Sequence, residues 1–89
     1  MQLKDEVAIV TGGTKGIGRA ISLLFAEEGA KVVANFSKDV EAAEVLKKEA
    51  KSRGLTIGLF KADVTMFDPA REMVEETFAQ YGKIDILVN

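Results

Sequence analysis

The stretch that decides the fold reads Val7-Ala8-Ile9-Val10-Thr11-Gly12-Gly13-Thr14-Lys15-Gly16-Ile17-Gly18. Its first four residues are apolar, which is typical of a strand buried on both faces of a parallel sheet. Three glycines with the spacing G-x-x-x-G-x-G follow directly. Such a turn lets backbone N–H groups and a helix N-terminus approach a phosphate closely. The stretch therefore predicts a strand, a phosphate-binding turn and the start of a helix.

The composition narrows the class of protein. The chain has 89 residues and a net charge of −2, with no cysteine and no histidine. This length and composition predict one small domain, residues 1–89, with no disulfide and no metal site of the common zinc type. The lack of a basic block argues against nucleic acid and anionic membranes as partners. No apolar run is long enough to cross a membrane and the N-terminus is polar, so we expect a cytoplasmic protein.

Downstream of the quoted stretch, strand-like and helix-like segments alternate. Strands are expected at residues 31–36, 56–61 and 84–88, and helices at residues 17–28 and 39–53. A third helix is expected to begin with Asp68 as N-cap and Pro69 at its first position, and to run to Tyr81. Gly29, Gly54 and Gly82 are the expected helix ends. This alternation is typical of a parallel sheet wrapped by helices.

Right-handed crossovers then predict the topology. We expect a Rossmann-like α/β fold: a four-stranded parallel sheet of order 3-2-1-4 with three helices, the first two on one face and the third on the other. The apolar spacing places Ile17, Ala20, Ile21 and Leu24 on the buried stripe of the first helix. The face under the third helix is expected to be thinly covered, and the fourth strand to have an open edge. Self-association to a dimer or larger, or marginal folding, is therefore expected.

The glycine turn is the first candidate site. Gly12 permits a tight exit from the strand, Gly16 lets the backbone approach a ligand, and Gly18 lets the helix lie close to the sheet. A tight turn without any ligand is the alternative, but the position between a strand and an amphipathic helix favours a dinucleotide. Thr14 and Lys15 are expected to protrude, with Lys15 meeting a phosphate or lying in solvent. No Gly-Lys-Ser/Thr ends the turn, which excludes a Walker-type loop.

The end of the second strand bears on cofactor choice. Enzymes that prefer NAD usually place a carboxylate there for the ribose 2′-hydroxyl. This segment has no carboxylate before Asp39, whereas Ser37 and Lys38 can accommodate a 2′-phosphate. Together with Lys15 they favour NADP over NAD. The alternative for Ser37 or Asp39 is that either only caps the second helix.

Two further features follow the third strand. Asp63 can accept a hydrogen bond from an adenine amino group while Val64 covers the ring edge; the alternative is an Asx-type turn. Tyr81 is most simply a core residue. Four residues after it comes Asp85 rather than lysine, so this tyrosine has no lysine partner for acid–base chemistry.

These motifs resemble those of one family over all 89 residues. Residues 11–18 fit the T-G-x-x-x-G-x-G motif of the short-chain dehydrogenase/reductases, and Asp63-Val64 fits the adenine-contacting pair of that family. Residues 84–89 fit the strand that leads into its N-N-A-G motif. Among the members, the chain is most similar to the 3-oxoacyl-[acyl-carrier-protein] reductases and related NADP-dependent ketoreductases.

The resemblance implies a set of cofactor-binding residues. Four would surround the pyrophosphate and the adenosine-side phosphates: Gly12, Gly13, Thr14 and Lys15. Ile17 would back the cofactor beyond the turn, and Asn89 would border it at the fourth strand. Ser37 and Lys38 would flank the adenosine ribose, and Asp63 and Val64 would hold adenine.

The resemblance also shows what the chain lacks. The catalytic serine and Tyr-x-x-x-Lys of the family are absent, so the chain corresponds to roughly the first third of such an enzyme, truncated relative to the full fold, with no catalytic residue of its own. Three functions stay open: part of an NADP-dependent carbonyl reductase, a nucleotide-binding half-domain without chemistry, or a self-associating fragment. We expect no turnover from the 89 residues alone.

Overall fold

A computed structural model describes residues 2–89. The described chain alternates four strands and three helices. In chain order these are β1 (Val7–Val10), α1 (Gly16–Glu27), β2 (Lys31–Phe36), α2 (Val40–Ser52), β3 (Ile57–Lys61), α3 (Phe67–Tyr81) and β4 (Ile86–Val88). Most predicted boundaries lie within one residue of these. Each helix is followed by a glycine with positive φ, at the predicted positions Gly29, Gly54 and Gly82.

The sheet is parallel and has the order β3-β2-β1-β4, which confirms the predicted topology. In β1, Ile9 lies between Val33 of β2 and Leu87 of β4. All four residues of β1 are buried, as expected for the strand at the centre of a sheet covered on both faces. The carboxyl end of β1, where the glycine turn begins, therefore lies at the switch point between β2 and β4.

The helices lie on the two faces as the crossover rule predicts. Leu23 of α1 and Leu46 of α2 pack with Ala34 on one face of the sheet. On the other face, Met73 of α3 packs with Ile9 and Val33. Tyr81 and other half-buried side chains join this second cluster, which confirms Tyr81 as a residue of the core.

The buried stripe of α1 is not the predicted one. Its buried side chains are Ser22, Leu23 and Ala26, whereas Ile17 and Leu24 are exposed. The helix is rotated because Gly18 and Ser22 pack against the glycine turn, and Ala26 continues this line at the next i+4 position. Apolar spacing alone could not reveal a helix face that is chosen by a glycine and a serine.

The start of α3 also differs from the prediction. Asp68 is not the N-cap and Pro69 is not the first helical residue, because the helix begins at Phe67 after Met66. Proline is tolerated there since the first turn of a helix has no intrahelical use for its N–H groups. Asp68 lies in that first turn, where its negative charge complements the helix dipole.

The strand β4 is shorter than predicted, and Asp85 is the reason. The Asp85 backbone N–H donates to the Val7 carbonyl at 2.9 Å, and the Val7 N–H donates to the Asp85 carboxylate at 2.9 Å. The side chain thus takes the place of a ladder partner, and regular pairing begins only at Ile86. Lys83 Nζ lies 3.1 Å from the same carboxylate. These contacts fasten the start of β4 to the start of β1.

The Val7 N–H and the Lys83 ammonium hold the pKa of the Asp85 carboxyl below its usual range. A folded-state pKa below the unfolded value means that the carboxylate stabilises the fold above that unfolded pKa, about 3.9, and stops doing so as pH falls through the folded pKa. We expect Asp85→Ala to lower the melting temperature at pH 7, with the difference from the unmodified chain shrinking between pH 5 and pH 3. Thermal melts followed by circular dichroism across this range test it.

Asp85→Asn is the matched control, since its amide oxygen still accepts from the Val7 N–H but carries no charge. At pH 7 its melting temperature should lie between those of the unmodified chain and Asp85→Ala. The melting temperatures of Asp85→Asn and Asp85→Ala should both depend less on pH than that of the unmodified chain, because both variants lack this carboxyl group. A difference between Asp85→Ala and the unmodified chain that persists undiminished at pH 2.5 would contradict this role of the carboxylate.

Candidate functional site

The glycine turn and the start of α1 pack backbone against backbone. A Cβ atom added at Gly18 would overlap the Gly12 carbonyl oxygen. A Cβ at Gly13 would lie 2.7 Å from the Val10 carbonyl oxygen and 2.8 Å from Ser22 Oγ. Steric space alone therefore requires glycine at residues 13 and 18. The absence of a side chain at Gly18 lets α1 pack closely against the glycine turn, and not only against the sheet as predicted.

The N–H groups of the turn fall into two sets. Those at its beginning are used internally: Thr11 donates to the Val88 carbonyl at 2.9 Å and Gly13 to the Asn35 carbonyl at 3.0 Å. Those at the start of α1 precede the first intrahelical bond, in which the Arg19 N–H donates to the Lys15 carbonyl at 3.1 Å. Within residues 2–89 no side chain caps this helix. The N–H groups of residues 16–18 therefore remain able to donate to a ligand, with the positive end of the helix dipole behind them.

Beside these N–H groups lies a cleft of about 250 Å³ between the turn and the end of β2. Its walls are formed by Gly12, Thr14, Lys15, Phe36, Ser37, Lys38 and Asp39. Two lysines and one carboxylate share a space of this size, so the wall carries a net positive charge. The cleft thus brings Gly12, Thr14 and Lys15 of the turn together with Ser37 and Lys38 at the end of β2.

Thr14 does not protrude from the turn as predicted. It is 3% exposed and forms part of the cleft wall, while Lys15 does extend into solvent. Sequence could not separate the two, because the direction of a side chain in a turn depends on backbone angles that glycine neighbours leave open.

Gly16 and Ile17 are the first two residues of α1. Gly16 has φ +54°, a left-handed conformation that strains other residues, and a Cβ there would meet nothing within 4 Å. Ile17 is 81% exposed. An exposed isoleucine next to open backbone N–H groups is an apolar surface available to a ligand.

Asp63 forms the Asx-type turn that the sequence left as an alternative. Its Oδ1 accepts from the Thr65 N–H at 3.0 Å and from the Thr65 hydroxyl at 2.5 Å. The Thr65 hydroxyl, then the Thr65 N–H, hold the pKa of Asp63 below its usual range, so the group is ionised at neutral pH. Val64 is half-buried against the cluster of Ile9, Val33 and Met73. Neither residue lines the cleft, although both follow the carboxyl end of β3.

Asn89 follows β4 and lies next to the beginning of the turn. The Thr11 hydroxyl lies 3.3 Å from Asn89 Oδ1 and 3.1 Å from the Val88 carbonyl oxygen, to which it donates. Thr11 thus joins the end of β4 to the exit of β1. The predicted site residue at the fourth strand is therefore placed at the same edge of the sheet as the turn.

Sequence reasoning assigned no role to the side chain of Asn35, which is 3% exposed. Its Nδ2 donates to the carbonyls of Ala62 at 2.9 Å and Phe60 at 3.3 Å, and its Oδ1 faces the Gly12 N–H at 3.4 Å. One side chain thus connects the glycine turn with the segment that leads into Asp63. The available signal was a single amide within the otherwise apolar residues 32–36 of β2, because a buried amide must find partners.

Ser22 was also missed. It is fully buried, and its hydroxyl donates to the Gly13 carbonyl at 2.9 Å. A lone serine between apolar residues of α1 was the signal, since a buried hydroxyl needs an acceptor. Asn35 and Ser22 hold the turn from opposite sides and leave the start of α1 free.

Two structural absences concern residues 2–89. There, no group of three or more histidine, cysteine or carboxylate side chains is placed to hold a metal ion. None of the helices in this part of the chain is both long and apolar enough to cross a membrane.

Comparison with known proteins agrees with this geometry. The model of the family described as short chain dehydrogenase matches residues 6–89. The chain belongs to the short-chain dehydrogenase/reductase family. This confirms the resemblance carried by residues 11–18, Asp63-Val64 and residues 84–89.

Two curated relatives illustrate the similarity within this family. The 3-oxoacyl-[acyl-carrier-protein] reductase FabG of Staphylococcus epidermidis is 40% identical over 85 residues, which are 96% of this chain and 35% of the relative. General stress protein 39 of Bacillus subtilis is 41% identical over 88 residues, or 99% of this chain and 31% of the relative. The chain thus spans about a third of the length of these short-chain dehydrogenase/reductase relatives.

Solved structures of the family share the fold over the whole chain. The apo glucose dehydrogenase of Caenorhabditis elegans is 37% identical with a TM-score of 0.91, covering 100% of this chain and 38% of its own. A short chain dehydrogenase of Burkholderia cenocepacia in complex with NADP is 32% identical, also with a TM-score of 0.91, covering 100% of this chain and 36% of its own.

The packing of Gly18 yields a stability prediction. We expect Gly18→Ala to lower the free energy of unfolding by about 3 kcal/mol, because its methyl group must push the Gly12 carbonyl away. Gly58→Ala is the control: its Cβ would meet only the Val32 carbonyl oxygen, at an ordinary 3.8 Å. That change should stay within about 1 kcal/mol of the unmodified chain. Urea denaturation measures both, and equal effects of the two substitutions would contradict the close contact.

Proposed function

We propose that this chain binds NADP(H) as the N-terminal, cofactor-binding part of a short-chain dehydrogenase/reductase. The observation that carries the proposal is the open start of α1 beside a cleft with two lysines. We interpret residues 1–89 as one Rossmann-type half-domain for a nicotinamide dinucleotide. The relative of Burkholderia cenocepacia solved with NADP supports this choice of ligand.

The pyrophosphate is assigned to the glycine turn. The N–H groups of residues 16–18 can donate to phosphate oxygens, and the helix dipole favours the negative charge. Gly12 and Thr14 form part of the wall beside it, Gly13 packs behind them, and Ile17 offers an apolar contact beyond it. Gly16 has a left-handed backbone conformation at this point, which a residue with a side chain adopts only with strain.

The adenosine is assigned to the far side of the cleft. Ser37 and Lys38 lie at the end of β2, and Lys15 extends from the turn towards them. A 2′-phosphate between two ammonium groups gains charge-assisted hydrogen bonds that a 2′-hydroxyl does not. NADP is therefore proposed over NAD. Asp63 and Val64 would border adenine, and Asn89 the part of the cofactor nearest β4.

For the whole enzyme we propose reduction of a carbonyl group of a 3-oxoacyl thioester-like substrate. Support comes from the reductase of Staphylococcus epidermidis, at 40% identity over nearly all of this chain. The cofactor supplies the hydride in such a reaction. The residues of this chain would bind and orient the dinucleotide and would not themselves transfer protons. Accordingly, we expect no turnover of an acetoacetyl thioester by the 89-residue chain.

Calorimetric titration with NADP and NAD tests the proposal. We expect weak binding of both and tighter binding of NADP. Lys15→Met should weaken NADP binding about twofold to fivefold and NAD binding less, because an exposed charge pair contributes up to about 1 kcal/mol. Lys51→Met, at the far end of α2, removes the same charge away from the cleft and is the control. Binding of neither dinucleotide, or equal losses in the two variants, would contradict the assignment.

A second proposal, self-association, rests on the α3 face. Phe67 is 75% exposed and Phe78 57%, and Val74 lies between them on the same stripe of the helix. Leu87 of β4, which pairs with Ile9 on this face, is 60% exposed. In the described chain β4 pairs only with β1, so its other edge has unpaired backbone groups. Exposed apolar patches and open edges favour association, and we propose that a second copy of the chain covers this face.

Sedimentation velocity at micromolar concentrations tests this second proposal. We expect species larger than a monomer, and a shift towards monomer in Phe78→Glu because a carboxylate would have to be buried. Val45→Glu is the control, since Val45 is 56% exposed on α2, across the sheet. A compact monomer for the unmodified chain would contradict the proposal, as would equal shifts in the two variants.

A further inference from the structure

An ion pair spans the cleft described above. Lys15 Nζ, from the glycine turn, lies 3.4 Å from Asp39 Oδ2 at the start of α2. Both residues line the cleft, and both side chains are partly exposed, at 66% and 42%. The lysine that faces the proposed position of a 2′-phosphate therefore already has an anionic partner from its own chain.

The carboxylate of Asp39 is held in place by the helix that it caps. Its Oδ1 accepts from the Ala42 N–H at 3.0 Å, which leaves Oδ2 directed to Lys15. The Ala42 N–H and the Lys15 ammonium keep the pKa of Asp39 below its usual range. The group is thus ionised at neutral pH and cannot swing away without losing the cap.

We propose that Asp39 is a residue that sets cofactor selectivity, because its carboxylate competes with the ribose 2′-phosphate for Lys15. The inference rests on the proposed NADP site and specifies how strongly that site discriminates between NADP and NAD. In the empty cleft Asp39 neutralises Lys15. On binding of NADP, Lys15 must exchange the carboxylate for the phosphate, and the carboxylate then lies close to a second anion.

The two dinucleotides differ in this respect. NADP brings a charged group that Asp39 repels, whereas NAD brings a neutral 2′-hydroxyl that can donate to a carboxylate. Lys15 and Lys38 favour NADP, and Asp39 opposes them. The chain therefore prefers NADP by less than its two lysines alone would produce.

Asp39→Asn tests the inference with little effect on the fold, because asparagine caps helices about as well as aspartate. We expect the variant to bind NADP about threefold to tenfold more tightly in calorimetric titration at low ionic strength, with NAD unchanged or weaker. The gain should shrink when the salt concentration is raised to about 0.5 M, since the charges are partly exposed. A thermal melt of the variant, close to that of the unmodified chain, verifies that the cap is retained.

Two further variants isolate the cause. Glu41→Gln removes the same charge from the first turn of α2 without a contact to Lys15, and should change the NADP to NAD ratio less than Asp39→Asn does. In a chain that already carries Lys15→Met, Asp39→Asn should gain less NADP affinity, because the competition for the lysine is gone.

The outcomes separate this inference from the proposed function. If the unmodified chain binds NADP but Asp39→Asn leaves the NADP to NAD ratio unchanged, or matches Glu41→Gln, the inference is wrong and the cofactor assignment stands. If neither chain binds NADP or NAD, the cofactor assignment is wrong and the inference fails with it.

Discussion

The contact between the Gly12 carbonyl and Gly18 is the constraint on which the site depends. It leaves no room for a Cβ atom at residue 18, so the turn lies directly on the first turn of α1. With the turn folded back in this way, the chain enters α1 without a side-chain cap. The N-cap residue is Lys15, whose side chain has no hydrogen-bond acceptor, so the N–H groups of residues 16–18 stay open at the carboxyl edge of the sheet.

Two buried polar side chains complete this arrangement. Ser22 holds the Gly13 carbonyl from the helix side, and Asn35 faces the turn from β2 while donating to the chain that follows β3. An unpaired buried amide or hydroxyl costs on the order of 1–3 kcal/mol, so these residues favour one position of the turn over others. The rigid part of the site is therefore its beginning, and the part left free is the start of α1.

The sequence was sufficient for the sheet order and for nearly all helix and strand bounds, because buried parallel strands, terminating glycines and right-handed crossovers are local or topological rules. The sequence-based prediction was wrong where tertiary contacts determine the local structure. The buried face of α1 is set by Gly18 and Ser22 rather than by its apolar spacing, and the direction of Thr14 depends on glycine backbone angles. The side chain of Asp85 replaces a ladder partner, which shortened β4 in a way that no periodicity indicates.

Charge in the cleft follows from the same geometry. The end of β2 turns into α2 within a few residues, and Asp39 supplies the side-chain cap of that helix. Asp39 lies opposite Lys15, which extends from the glycine turn into solvent. The same carboxylate therefore caps α2 and forms an ion pair with the turn. A helix cap that stabilises α2 therefore places a negative charge at the proposed phosphate position. One carboxylate thus links the stability of α2, through Oδ1, with the proposed cofactor selectivity, through Oδ2.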